Sequence, residues 1–347
     1  MCWPAGIQMN SMKSGKVSFT LAHIWGLIFL FLIVAQPLKA QYATEITVAQ
    51  DGSGDYRSIQ EAIYSAKAFP DKRITIYIKA GIYREKVRVP SWNTNITLKG
   101  ENAETTKITW DDHFKKIDLG RNSTFYTATL LVEGEDFRAE NLSIENTAGP
   151  VGQAIALAVE ADRCVFKNCR IKGNQDTLYT AGTHSRQYFT QCYIEGTTDF
   201  IFGEAVVLFD SCQIHSKSNS YITAASTPEA NKFGFVFRNC KLTAADNVDK
   251  VYLGRPWRKY ARVAYLHCYF GAHIAPEGWQ NWSGTDHNKT AYYAEFGNTG
   301  PGSGAADRVS WSLQLRRREA RYYSLNKILG TLPGGSFNNA DWISSHQ

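Results

Sequence analysis

Apolar positions recur along this chain in a fixed frame, apolar-x-x-Cys-x-apolar. It reads Phe166-Lys-Asn-Cys169-Arg-Ile171, Phe189-Thr-Gln-Cys192-Tyr-Ile194, Phe209-Asp-Ser-Cys212-Gln-Ile214 and Phe237-Arg-Asn-Cys240-Lys-Leu242. A looser copy is Tyr265-Leu-His-Cys268-Tyr-Phe270, and an earlier frame starting at Phe137 puts Glu140 in the Cys slot. Runs such as Ile74-Thr-Ile-Tyr-Ile78, Ala128-Thr-Leu-Leu-Val132 and Gly234-Phe-Val-Phe237 are rich in β-branched and aromatic residues and read as strands. Gly, Asn and Asp punctuate between them. Successive Cys positions lie 23, 20, 28 and 28 residues apart, the period of a solenoid built from short β units. The expected fold is all-β: a single-stranded right-handed parallel β-helix whose coils stack about 4.8 Å apart. A Greek-key sandwich would leave the fixed Cys slot unexplained.

Two stretches break the repeat. Near the start, Ile59, Ala62, Ile63 and Ala66 fall on one helical face, with Asp55 as the expected cap. That helix would cover the open end of the β-helix, which otherwise exposes unpaired strand edges. From Trp311 to Gln347 no frame returns. This stretch, with Arg316-Arg-Arg318, is expected to wrap as loops and short helices over a flank or the other end, the Arg run forming a solvated face.

Residues 1–40 read as a signal peptide. Lys13 and Lys16 precede an apolar run from Ile24 to Val34, and small residues lead up to Ala40. The run is short for a spanning helix, which weighs against the alternative of a retained anchor. Residues 41–347 then form one domain, exported to a secreted or periplasmic destination. The formal charge of +6 falls to about +3 without the leader, enough to favour an acidic polymer but no pointer to nucleic acid.

Five of the seven cysteines share the repeat slot, and Cys164 lies outside it. Cys behaves as a small hydrophobe, so an internal ladder of thiols is the favoured reading. In an exported chain a bridge between adjacent coils, Cys169 to Cys192, is the alternative. No CxxC pair is present, which argues against zinc.

Asp176 lies seven residues after Cys169, and Asp199 seven after Cys192. Equal offsets in adjacent repeats stack the two carboxylates on neighbouring coils. Two such groups do not readily ionise together, so one should hold a proton near neutral pH. Arg255, in Leu253-Gly-Arg-Pro-Trp257, is the candidate cation to keep the other ionised. An acid beside an anionic nucleophile suits covalent catalysis with proton delivery to a leaving group. Gln175 adjoins Asp176, and Gln153 lies 22 residues earlier, about one coil. Their amides could face a developing oxyanion. Trp257 and Trp279 are the expected stacking walls for a polymer along this line. Asn and Asp ladders in β-helices are also commonly structural, and the Gln pair and the Arg-Pro-Trp turn are what tilt the reading toward catalysis.

Five ordered segments, Gly81-Ile-Tyr-Arg-Glu85, Gln153-Ala-Ile-Ala-Leu157, Gln175-Asp-Thr-Leu178, Asp199-Phe-Ile-Phe-Gly203 and Leu253-Gly-Arg-Pro-Trp257, resemble those of the pectin methylesterases. The resemblance covers roughly residues 43 to 315. It implies the same parallel β-helix and hydrolysis of the methyl esters of pectin. By motif it implies Asp199 as nucleophile, Asp176 as acid and then base, Gln153 and Gln175 as the oxyanion hole, and Arg255 as the partner of Asp199. Trp257 matches a substrate-stacking position, and Thr124, Tyr179, Phe202 and Trp279 line up with cleft residues. It implies no metal and no organic cofactor, and a monomer is the expected state. The chain shows no long inhibitory pro-domain of the kind many plant members carry. The Cys ladder and Gly278-Trp-Gln-Asn-Trp282 suggest a bacterial-type member. Asn281-Trp-Ser283 is a glycosylation site only in a host that glycosylates.

Two rival classes remain. A β-helix hydrolase or lyase on the same polymer would use paired carboxylates across a glycosidic bond or an acidic calcium cluster, and would have little use for two glutamines. A non-catalytic carbohydrate-binding relative would keep the aromatics and lose an acid or a glutamine, whereas all are present.

Overall fold

The computed structural model describes residues 42–330 and 340–344. Chain contacts separate Met1–Tyr42 from Ala43–Gln347, and the architecture is that of the second unit. The proposed signal peptide lies outside the described residues.

Three parallel sheets of 11, 8 and 7 strands form the walls of a right-handed β-helix. Each coil sends one strand to each wall. Thus Cys164–Lys167 pairs with Arg186–Thr190, Arg170–Lys172 with Tyr193–Gly196, and Leu178–Thr180 with Ile201–Gly203, all parallel. In the 11-stranded wall the alternating pattern sends every second side chain inward. Phe166, Phe189, Phe209, Phe237 and Tyr265 fall in register and stack with centroids 4.3–5.1 Å apart. Stacked rings gain about 0.5–1.5 kcal/mol per pair beyond their burial.

One residue before each Cys the chain turns from the first wall to the second through a left-handed conformation: Asn168, Gln191, Ser211, Asn239 and His267 all have φ between 50° and 56°. A short polar side chain tolerates this region. The turn drops the following Cys into the core. Each ladder thiol lies 3.4–3.5 Å from a carbonyl of the preceding coil, as from Cys192 to Phe166 and from Cys212 to Phe189. All six cysteines among the described residues are free, so the Cys169–Cys192 bridge is not formed and the ladder is one of buried thiols. Burial pushes the Cys164, Cys169, Cys212 and Cys268 thiols up, which keeps them protonated and inert.

The earlier frame needs a correction. Ala139, not Phe137, pairs with Phe166, which puts Leu142 in the Cys slot and pairs Glu140 with Lys167. A shift of two residues preserves inward and outward alternation, so the pattern alone did not reveal it.

The helix near the start runs Ile59–Ser65 and buries Ile59, Ala62 and Ile63. Its cap is Ser58, whose Oγ accepts from the Glu61 N–H, not Asp55, whose carboxylate accepts from the Thr47 N–H at 2.7 Å. Glu85 closes the same end: its carboxylate accepts from the N–H groups of Ile59 and Gln60 and from the Ser58 hydroxyl. At the other terminus, short helices at Arg317–Ala320, Leu325–Leu329 and Asp341–Ser344 come after the last strand. Leu315, Ile328, Leu329 and Ala340 cover the apolar outer stripe of the 11-stranded wall formed by Val165, Tyr188, Leu208, Val236 and Ala264. The segment is pinned by Arg138 to the Trp342 carbonyl and by buried Arg186 to that of Leu329. Arg316, Arg317 and Arg318 are exposed, as expected.

Candidate active site

The 7-stranded wall carries the site on its outer face. One row of in-register positions runs Arg88, Leu131, Ala158, Tyr179, Phe202, Ala224 and Arg255. Tyr179 and Phe202 stack at 4.8 Å; Phe125 tilts against Tyr179 at 5.1 Å, and Trp257 meets Phe202 edge-on at 6.1 Å. These four rings make a continuous aromatic strip. A cleft of about 540 Å³ continues from it toward Lys86 and Arg88, with Phe125, Tyr126, Glu133 and Glu160 on its walls.

The two aspartates enter this wall at equivalent places. Leu178 pairs with Ile201, so Asp176 and Asp199, each two residues earlier, stand on adjacent coils. Both backbones are left-handed, φ 63° and 49°. The Asp176 N–H donates to the Thr198 carbonyl and the Asp199 N–H to that of Tyr221, which locks each turn to the next coil. Gln153 and Gln175 form a parallel bridge on the preceding coil boundary, and the Ala154 N–H donates to the Gln175 carbonyl. Among the described residues neither carboxamide donates to another protein group, so both remain available to a ligand.

Arg255 grips Asp199 with two bonds, Nε to Oδ1 at 3.0 Å and Nη2 to Oδ2 at 2.6 Å. Its guanidinium lies between two rings, 4.0 Å from the centroid of Tyr221 and 4.2 Å from that of Trp282. Cation–π contacts and a bidentate fork together fix the plane of the cation and so the carboxylate. The Gly before it is required: a Cβ on Gly254 would collide with Thr223 Oγ1.

The electrostatics divide the pair. Burial, reinforced by the Asp199 charge, pushes the Asp176 carboxyl well above the usual carboxylate range. Burial also raises Asp199, but the Arg255 hydrogen bonds and charge pull it back. Asp176 therefore holds a proton to higher pH than its neighbour, as a general acid must. Among the described residues no group of three or more His, Cys, Asp or Glu is placed to hold a metal ion.

Asp176, Asp199, Gln153, Gln175, Arg255, Tyr179, Phe202 and Trp257 gather here. Thr124 is buried, its carbonyl accepts from the Thr127 hydroxyl, and it is the next residue, Phe125, that puts a ring in the cleft. Trp279 requires a correction. It is only 1% exposed, packs against Tyr265 and Tyr293, and donates its indole N–H to Glu295. The ring that reaches the site from this segment is Trp282, three residues on, against Arg255. Tyr221 was also missed; only its register with Asp199, invisible without the coil alignment, marks it.

Comparison with known proteins agrees with this geometry. The Pectinesterase family model matches residues 45–331. Pectinesterase 31 of Arabidopsis thaliana is 42% identical over 286 residues, which cover 80% of this chain and 90% of the relative. Pectinesterase 2 of Citrus sinensis is 41% identical over 79% of this chain, and here, as in several plant relatives, the match spans about half of the relative (54%). Among solved structures, the pectin methylesterase from carrot superposes with a TM-score of 0.77 at 35% identity, covering 82% of this chain and 92% of that one. The Erwinia chrysanthemi enzyme gives 0.74 at 27% identity over 84% and 97%. The expected bacterial affinity is thus not supported: these curated relatives are plant proteins, and the carrot enzyme is more similar in sequence than the bacterial one. The Cys ladder misled because it reports how a coil packs, not lineage. With the family model spanning most of the described fold, this chain belongs to the pectinesterase family.

Proposed function

We propose that the chain removes methyl groups from pectin through the paired aspartates. The observation that carries this reading is one carboxylate clamped by Arg255 with a second, proton-retaining carboxyl one coil away. Asp199 attacks the carbonyl carbon of a galacturonate methyl ester. The amides of Gln153 and Gln175 stabilise the oxyanion. Asp176 gives its proton to the departing methoxide, releasing methanol and leaving an acyl-enzyme on Asp199. Asp176, now a base, takes a proton from water, which hydrolyses the acyl bond and frees the galacturonate carboxylate. Tyr179, Phe202, Trp257 and Phe125 offer faces on which the sugar rings stack. Export through residues 1–40, to a secreted or periplasmic destination, and action as a monomer belong to this proposal. Among the described residues no helix is long and apolar enough to cross a membrane.

The test is methanol release from highly methylated pectin with viscosity followed in the same tube. Methanol at steady viscosity supports the esterase, and falling viscosity without methanol points to backbone cleavage. Asp199→Asn should then lower kcat by at least about 10³-fold, the scale on which loss of a covalent nucleophile is felt. Unchanged turnover would remove the nucleophile assignment.

A further inference from the structure

Behind the cleft lies a buried ion pair that the esterase mechanism does not use. Arg308 and Glu295 are each 3% exposed in their side chains and bond at 2.9 Å (Nε to Oε1) and 3.3 Å (Nη2 to Oε2). Glu295 Oε1 also accepts the indole N–H of Trp279 at 3.1 Å. The rest of the Arg308 fork is spent on backbone: it donates to the carbonyls of Ala275, Pro276 and Gly302. Of these partners Ala275 and Pro276 lie in the turn that leads into Trp279–Trp282, Glu295 holds Trp279 itself, and Gly302 belongs to a neighbouring loop.

That turn is built around the cation. Gly278 has φ +67°, and a Cβ there would meet Arg308 Cδ at 2.5 Å and Nε at 2.7 Å. Its carbonyl accepts from the Leu253 N–H at 2.7 Å, Trp279 bridges in parallel to Gly254, and the Gln280 N–H returns to the Gly254 carbonyl at 3.2 Å. The turn is thus stitched to the two residues immediately before Arg255. Downstream it delivers Gln280, which accepts from the Tyr221 hydroxyl, and Trp282, whose ring covers Arg255. Tyr221 and Trp282 are the two faces that hold the Arg255 guanidinium.

We propose that Arg308 and Glu295, acting through Trp279, are positioning residues for Arg255. They fix the backbone beside it and both rings around it, and so set the orientation in which it holds Asp199. This rests on the esterase reading only for its kinetic readout.

The groups facing Asp199 are Arg255, Asp176 on the neighbouring coil, Tyr221 on the next, and the buried phenol of Tyr293, whose ionisation the Asp199 charge opposes. His287 bonds the Pro256 carbonyl on the far side of Arg255. Of these, Arg255 is the charged group that the ion pair positions; the Tyr221 ring is held with it, and Tyr293, packed on Trp279, is a neutral phenol throughout the acid limb. A loosened Arg255 leaves Asp199 easier to protonate, so the acid limb of kcat/KM moves to higher pH.

The experiment compares Arg308→Lys, which keeps the charge and loses the fork, and Trp279→Phe, which keeps the ring and loses the N–H. Each is made alone and in an Arg255→Lys background. Arg308→Lys should move the acid limb up by about one pH unit, a tenfold change in the ionised fraction, and Trp279→Phe by about half of that. In the Arg255→Lys background neither should add a further shift, because all act through one contact. An acid limb that stays in place while thermal stability falls would make the pair an ordinary core clamp and overturn the proposal, as would additive shifts. Should Arg308→Lys fail to fold, Trp279→Phe carries the same test. A carbon-13 titration of the Asp199 carboxyl in the same proteins reads the shift without turnover. A wild type inactive on pectin would therefore defeat the esterase reading and still leave the coupling measurable.

Discussion

The cysteine column and the aspartate column are two answers to the same backbone problem. In each, the chain rounds a corner through a left-handed residue and hands the next coil its register. At the first corner, Asn168, Gln191, Ser211, Asn239 and His267 do this in five successive coils, and the following Cys is buried each time. At the second, among the described residues, only Asp176 and Asp199 do so, and the next residue changes from Thr177 in one coil to Phe200 in the other. Where the repeat is kept, every coil contributes the same increment of packing. Where it is broken, two carboxyl groups are buried one coil apart, a desolvation cost that a turn of apolar or amide residues would not carry. The comparison teaches that repetition marks stability in this fold and that departure from it coincides with the residues proposed for chemistry.

The sharpest way to break the comparison is at Asp176. Asp176→Asn keeps shape and removes the proton that the departing methoxide needs, so kcat should fall by about 10³-fold or more. The same change should make the protein harder to melt. The folded-state carboxyl titrates above its unfolded value, so the native chain binds the proton more tightly than the unfolded one. The stability due to Asp176 is full below the unfolded value near 3.8 and is lost as pH rises through the folded value. Asn has no proton to lose. At neutral pH its Tm should exceed the wild type by about 2 °C, a shift of the size that roughly 0.5–1 kcal/mol makes in a chain this large. A melt at pH 7 beside a methanol assay reads both, and a variant that is inactive and also less stable would contradict the assignment.

Gln175→Ala comes next. Losing one oxyanion donor should lower kcat by about 10²–10³-fold with little change in KM, because the contact forms only in the transition state. Steady-state kinetics on methylated oligogalacturonates separates the two constants. A raised KM at unchanged kcat would make Gln175 a binding residue instead.

In the ladder the opposite signature is expected. Phe209 stacks on Phe189 and Phe237 and is fully buried, so Phe209→Ala should cost about 3–5 kcal/mol of stability. Its kcat, measured well below the new Tm, should stay near wild type. Denaturant unfolding gives the first number and the methanol assay the second.

Legibility in the sequence divides along the same line. The Cys slot and the equal offsets of the two aspartates could be read because they are periodic, and period fixes register. Gln153 was reached because it sits about one coil before Gln175, which adjoins Asp176, whereas Arg255 was reached by its Leu-Gly-Arg-Pro-Trp segment and not by spacing. Trp279 and Trp282 could not be told apart by spacing, since a turn carries no face alternation. What sorts them is Arg308, 29 residues beyond Trp279, under a glycine with positive φ. The cap at Ser58 was readable, because Ser58-Ile-Gln-Glu61 has the Ser-x-x-Glu form of a helix start, a stronger signal than a lone Asp55. Phe125 comes from a short 3₁₀ segment outside the coils, where no repeat reaches.

The smallest effect is also the cleanest contrast. Asn239 and Asp199 share nearly the same backbone, φ 56° and 49°. Asn239→Ala places a Cβ in the left-handed region and loses the bond from Nδ2 to Asp210 Oδ1, so it should cost about 1–2 kcal/mol. Asn239→Gly relieves the backbone and should cost less, with activity intact in both. Glycine at 199 meets the same backbone demand equally well, yet Asp199→Gly should be silent in the methanol assay while folding normally. Urea unfolding of these variants next to their turnover would show one conformation serving two ends. If Asp199→Gly lost stability far beyond Asn239→Gly, then Asp199 with its Arg255 clamp would be holding the fold together, and the two columns would not differ in kind.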